Sequence, residues 1–182
     1  MGSPQANRLL SAEDVRRATH RLALELVERL GPPDQFVLVG IVTGGATLAH
    51  ALADALEELE GQRPVVGNVD ITLYRDDLYT GLEKPVLGET TLPFAVSGAG
   101  IVLVDDVLFT GRTVRAALDE LWDYGRPAWI KLLVLIDRGH RELPIAADFV
   151  GRTLDTDRAD RVTVQFGTDG GVDLARRGGG ET

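Results

Sequence analysis

The stretch IVLVDDVLFTGRT, residues 101–113, decides how the chain is read. Four branched apolar residues form a buried strand that delivers two adjacent carboxylates, Asp105 and Asp106, to its carboxyl end. A Thr-Gly-Arg-Thr turn then leads into a helix. The backbone N–H groups of residues 110–113, the hydroxyls of Thr110 and Thr113 and the helix N-terminus make an anion cradle of the size of a phosphate monoester. Gly111 lets the backbone come close to such a ligand. Two carboxylates beside a phosphate repel it unless they face something else, and the vicinal hydroxyls of a ribose or a hydrated Mg²⁺ meet that need. The stretch therefore implies a ribose 5-phosphate ligand. It is not a Walker loop, which needs GxxxxGK[ST], nor a dinucleotide fingerprint, because Gly98 and Gly100 precede the strand.

Outward from this unit, strands and helices alternate. Ser11 with Asp14 three residues on marks a helix start, and Val15, Ala18, Leu22, Leu26 and Leu30 give it one apolar face up to Gly31-Pro32-Pro33. Residues 36–42, FVLVGIV, read as a buried strand, Thr43-Gly44-Gly45 as a loop, and residues 48–59 as a second helix. A strand is expected over residues 65–74. Residues 75–98 are polar and broken by Gly and Pro, so they read as a flexible hairpin loop with weak strand character at 90–94. After the 101–113 unit come a helix to Tyr124, a core strand over 129–136, the charged loop DRGHRELP, and short strands at 149–150 and 162–166 that finish the sheet. Strands apolar on both faces and alternating with helices predict an α/β fold with a mainly parallel central sheet and helices on both faces. Ligands of such sheets bind at the carboxyl ends of the strands. One domain is expected over residues 11–175, with loose ends at 1–10 and 176–182.

Composition narrows the chemistry. The 182 residues include no cysteine, which excludes disulfides, thiolate metal sites and cysteine nucleophiles. His20, His50 and His140 have no zinc-helix spacing between them. The net charge of −9 argues against coating nucleic acid through the overall field, so any such binding needs a local patch. Of 19 basic residues 17 are Arg, which favours bidentate phosphate contacts. Apolar runs fall far short of the ~20 residues of a membrane helix, and the start of the chain does not resemble a secretory signal. A cytoplasmic protein is expected.

Residues 101–113 resemble the phosphoribosyl-diphosphate (PRPP) motif of type I phosphoribosyltransferases. DITLYRDDL at residues 70–78 and LIDRGHRELPI at 135–145 narrow the likeness to the bifunctional pyrimidine operon regulators that are also uracil phosphoribosyltransferases. The resemblance runs over residues 11–151 and implies the type I phosphoribosyltransferase fold. It implies transfer of the phosphoribosyl group of PRPP to uracil, giving UMP and pyrophosphate, with Mg²⁺ carried by PRPP and no metal held by the protein alone. On that likeness the PRPP site is Asp105, Asp106, Val107, Leu108, Phe109, Thr110, Gly111, Arg112 and Thr113, the two aspartates holding the ribose hydroxyls. Thr43, Gly44 and Gly45 form the pyrophosphate loop, and Arg75, catalytic with the aspartates, closes with Lys84 over the leaving group. Ile136, Arg138 and His140 lie in the loop that reads uracil, largely through backbone groups. Phe109 stands where purine enzymes of the superfamily place an acid, and a flat apolar wall suits a pyrimidine.

The resemblance further implies binding of leader mRNA when UMP or UTP fills the site, through Arg16, Arg17, His20, Arg21, Arg141 and Arg152. Hydrophobic faces on so compact a chain lead us to expect self-association, as a homodimer or higher homo-oligomer. The chain departs from the family pattern at Gly44, where an arginine is expected, at Ala146 (arginine) and at Leu24 (histidine), while Asp155, Asp157 and Asp160 dilute the basic region. Two alternatives therefore stand beside the regulator: a uracil salvage enzyme without an RNA role, and a nucleotide sensor with weak catalysis.

Overall fold

The computed structural model describes residues 6–72 and 89–176. Ser11 opens α1 (Ala12–Leu30) with a capping box: its hydroxyl accepts from Asp14 N at 3.1 Å, and the Asp14 carboxylate accepts from Ser11 N at 2.9 Å. Val15, Thr19, Leu22, Ala23 and Leu26 turn inward, and Gly31, at φ 90°, ends the helix. A 3₁₀ turn at Pro33–Gln35 leads to β2 (Val37–Ile41), which feeds α2 (Gly44–Glu60). β3 (Val66–Val69), β4 (Gly100–Leu108), α3 (Arg112–Tyr124), β5 (Trp129–Asp137) and β6 (Phe149–Thr153) complete the central part.

The main sheet has the order β3-β2-β4-β5-β6, and every neighbouring pair is parallel. Alternation along β4 builds two cores. Val102 and Val104 point to the face covered by α1 and α2, with Leu22, Leu26, Leu48, Leu52 and Phe149. Ile101 and Leu103 point to the face covered by α3, with Val114, Ala117 and Leu121. The expected α/β layering is present. No described helix is long and apolar enough to cross a membrane.

Four expectations need correcting. The strand read over 65–74 ends at Val69, because Asp70 Oδ1 accepts from both the N–H and the hydroxyl of Thr72, at 2.9 and 2.6 Å, and curls the chain into a turn. β4 continues four residues past Val104, so the aspartate pair lies inside the strand; the longer β5 holds it in register, Asp105 opposite Val134 and Leu108 opposite Asp137. The 162–166 strand does not finish the parallel sheet. β7 (Arg161–Gln165) pairs with β8 (Gly171–Ala175), and β8 with β1 (Ala6–Ser11), as a separate antiparallel sheet in the order β1-β8-β7. Residues 6–10, expected to be loose, are thus a strand, with Leu10 buried beside Val172 in the α1-side core. The hairpin expected within 75–98 lies mostly outside the described residues; of the 90–94 strand, one bridge forms, Asn68 to Thr91.

Candidate active site

The carboxyl edge of the parallel sheet brings the start of α2 to the β4–α3 unit, far from it in sequence. Asp105, inside β4, is 5 % exposed, and its carboxylate accepts from Asp106 N at 3.0 Å. The Asp106 carboxylate accepts from Val107 N at 2.9 Å. Beside them lies the start of α2. A Cβ built on Gly45 would stand 2.2 Å from the Val104 carbonyl, so only glycine lets the loop pack on β4. The Val42–Thr43 peptide is cis. Across the pair lies the start of α3, entered through Gly111 at φ 93°.

Neither α2 nor α3 has a side-chain cap, and neither carries an acidic residue in its first turn. Two helix N-termini, each with a positive dipole end, thus lie at the same sheet edge as the acidic pair, of which Asp105 is buried and Asp106 half-buried. Burial pushes the Asp105 carboxyl well above its ordinary range, and the neighbouring Asp106 charge adds to it; burial raises Asp106 as well. Such a pair gains when hydroxyl donors or a cation approach it, and a helix N-terminus gains when an anion does. A phosphorylated sugar offers both. Among the described residues no group of three or more His, Cys, Asp and Glu side chains is placed to hold a metal ion. Two carboxylates alone suit a hydrated Mg²⁺ that is held mainly by its ligand.

The expected PRPP residues are gathered here, with a division of labour that sequence did not resolve. Leu108 is buried in the α3-side core, and its carbonyl accepts from Arg138 N at 3.1 Å; Val107 packs toward the other core. Both belong to the strand, which leads into the turn 110–113. The Thr110 hydroxyl accepts from Arg112 N at 3.4 Å, and the Thr110 carbonyl accepts from Glu142 N at 2.9 Å. The Arg112 guanidinium pairs with Glu142 at 2.7 Å, and Glu142 also pairs with Arg158. These two hydrogen bonds hold the Glu142 carboxyl below its ordinary range. Glu142, unread in the sequence, joins the phosphate turn to the loop before β7.

The uracil loop is likewise re-sorted. Ile136 is fully buried within β5, in register with Val107 and Arg152, so neither its side chain nor its ladder groups can read a base. Arg138 is 5 % exposed and is spent on structure: its guanidinium donates to the carbonyls of Asp160 and Asp157 at 2.8 Å each and lies 4.2 Å from the centre of the Phe109 ring. His140, in the left-handed region at φ 62°, sits edge-on to Phe109 with centroids 5.9 Å apart, and its Nε2 is 2.6 Å from the Thr156 carbonyl oxygen. Phe109 is thus a wall braced from two sides. Arg75 and Lys84 lie outside the described residues.

The six residues expected to meet RNA do not form one patch. Arg141 faces inward, donating to the carbonyls of Phe109 at 2.7 Å, Gly139 at 3.0 Å and Ile145 at 3.1 Å and pairing with Asp137, so it organises its own loop. Arg17, Arg21 and Arg152 line one cleft of about 220 Å³ with Leu10, Asp14 and Gly151. Arg16 and His20 line a different groove of about 310 Å³ between α1 and α2, rimmed by Asp54 and Glu58. Within the first cleft Arg17 is paired with Asp14 at 2.7 Å, and Arg21 donates to the Gly151 carbonyl. The periodicity of α1 separates these two sides, but only the tertiary packing shows which acids answer them.

A parallel sheet with an acidic pair beside two helix N-termini suits a phosphorylated sugar, and residues 5–169 match the family model of the phosphoribosyl transferase domain. Relatives named bifunctional protein PyrR are 55 % identical over 174 residues in Roseiflexus sp. (strain RS-1), covering 95 % of this chain and 93 % of the relative, and 51 % identical over 173 residues in Deinococcus deserti, covering 95 % and 94 %. The fold is shared with a hypoxanthine phosphoribosyltransferase from Staphylococcus aureus (TM-score 0.64, 20 % identity, 83 % of this chain and 79 % of that one) and a hypoxanthine-guanine phosphoribosyltransferase from Bacillus anthracis (TM-score 0.64, 18 % identity, 83 % and 84 %). The chain belongs to the phosphoribosyltransferase family and, within it, to the PyrR proteins.

Proposed function

We propose that the protein transfers the phosphoribosyl group of PRPP to uracil, and that occupancy of the same site by UMP or UTP governs its binding to a leader mRNA. The observation that carries the first half is the Asp105–Asp106 pair, the first buried and the second half-buried, at the sheet edge where α2 and α3 start without an N-cap side chain. Residues 110–113 take the 5-phosphate, Asp105 and Asp106 the ribose hydroxyls, and Thr43, Gly44 and Gly45 face the diphosphate through backbone N–H groups. Mg²⁺ carried by PRPP would supply positive charge to offset the diphosphate, and Asp105 and Asp106 are the residues that would face it. The bond from C1 of the ribose to the diphosphate oxygen breaks, N1 of uracil bonds to C1, the N1 proton passes to solvent, and pyrophosphate leaves. The chain contributes positioning and fixed dipoles while the ribose becomes cationic and the diphosphate gains charge. Phe109, braced by Arg138 and His140, supplies an apolar wall in place of an acid, which supports a pyrimidine substrate.

The regulatory half rests on the likeness to proteins named bifunctional and on the cleft lined by Arg17, Arg21 and Arg152. PRPP and uracil belong to the cytoplasm, and self-association as a dimer or higher oligomer fits this reading. Uracil turnover with Mg²⁺-PRPP tests the enzyme: UMP formation that is lost in Asp105→Asn supports it, and no formation by the wild type overturns it. Retention of the protein's own pyrimidine-operon leader RNA at one fixed salt concentration, with and without UMP, tests the regulator. Tight binding only with UMP supports it. Turnover without retention above that of an unrelated RNA leaves a salvage enzyme, which the loss of Arg141 from the basic set favours.

A further inference from the structure

Gly44 opens α2, a place where the backbone makes no demand for glycine: its φ is not in the left-handed region, and in a helix glycine costs roughly 1 kcal/mol against alanine. The reason for a glycine must then be space. At Gly45 the space is claimed by backbone, the Val104 carbonyl at 2.2 Å and Asp105 Cα at 3.0 Å from an ideal Cβ. At Gly44 the three nearest atoms all belong to one side chain. An ideal Cβ would stand 2.2 Å from Asp106 Oδ2, 2.4 Å from its Cγ and 2.9 Å from Oδ1, none of which a real Cβ tolerates. The Asp106 carboxylate therefore rests on the first turn of α2, with Oδ1 tied to Val107 N. A carboxylate over an open helix start is held there by the dipole.

We propose that Gly44 is a positioning residue: having no side chain, it seats the Asp106 carboxylate on the pyrophosphate loop, so that the ribose-binding acid and the loop act as one preorganised unit. This rests on the assignment of the site to PRPP. It also changes the reading of position 44. The sequence there lacks an expected cation, but a side chain returned to it must first displace Asp106, so the chain has exchanged a loop charge for a fixed acceptor.

The test compares Gly44→Ala, Asp106→Ala and the double variant in steady-state turnover of the full chain with Mg²⁺-PRPP and uracil. Gly44→Ala keeps or raises the melting temperature, because the helix gains an alanine. Its KM for PRPP rises about tenfold, since sub-ångström displacement of a positioning group is costly, and its KM for uracil stays within about twofold. The double variant has the kcat/KM for PRPP of Asp106→Ala within about twofold, because the seat has no occupant left to lose. Losses that multiply in the double variant, or a Gly44→Ala enzyme equal to wild type, overturn the proposal. A second measurement needs no turnover. In the ligand-free protein, Asp106→Asn shifts the Gly44 and Gly45 amide resonances if the carboxylate rests on them, and unmoved resonances overturn the seat. A wild type that neither binds nor turns over PRPP defeats the assignment of the site, while the amide shifts still decide the contact.

Discussion

Asp105 carries opposite demands from folding and from function. Its carboxyl is buried with a second carboxyl beside it, so its native value lies well above the ~3.9 of an unfolded chain. Between those two values the native state binds more protons than the unfolded one, and the stability of the ligand-free protein falls as pH rises through that window. Asp105→Asn keeps an oxygen for Asp106 N and removes the charge. It should melt higher than wild type at neutral pH, by a few degrees for roughly 1 kcal/mol, with the advantage shrinking toward pH 4. It should also bind no Mg²⁺-PRPP in a calorimetric titration. A melting advantage that does not depend on pH would show that the buried charge is not its source. Thr110→Ala tests the other side of the ligand: the turn keeps its carbonyl bond to Glu142 N, so the chain should fold as wild type while PRPP affinity collapses.

Among the elements, the order strand–DD–turn–helix is legible in sequence, since its chemistry is local, but the run of β4 through the aspartates to Leu108 is not, because the register with β5 fixes it. α1 is legible too, since its capping box and stripe lie within one stretch. What was illegible depends on distant partners. β1 and β8 pair Ala6 with Ala175 and Ser11 with Gly171, and no local signal announces a partner so far along the chain. Arg138 and Arg141 look like ligand-reading cations in DRGHRELP, yet both are consumed by backbone carbonyls that only the folded loop supplies. This predicts the cost of losing one. Arg138→Met removes a donor from the carbonyls of Asp157 and Asp160, of which Asp157 keeps the Asp160 N–H, and takes one of two braces from Phe109, and should lower stability by roughly 1–2 kcal/mol in a urea titration. A raised KM for uracil should accompany it. A variant as stable as wild type would return Arg138 to the ligand.

For the whole molecule, the ligand bridges elements that in the empty protein meet around an acidic pair that repels itself: the start of α2 against Asp106, and the turn into α3 that follows β4. Mg²⁺-PRPP at about 100 times its Kd should therefore add ~2.7 kcal/mol, or roughly 5–10 °C in melting temperature, and leave Asp105→Asn unmoved. Absence of a shift in wild type would mean that these elements do not meet on PRPP. The antiparallel sheet has a consequence of another kind. β1 is made long before β8, so the strand waits for most of the described residues before its only strand neighbour among them exists. The parallel sheet can assemble as β2 to β6 emerge, but Leu10 cannot be sealed under Val172 until β8 has been made. A released chain that stops just before Gly171 should keep its catalytic edge and be cut by protease at β1, and restoring β8 should abolish that cut.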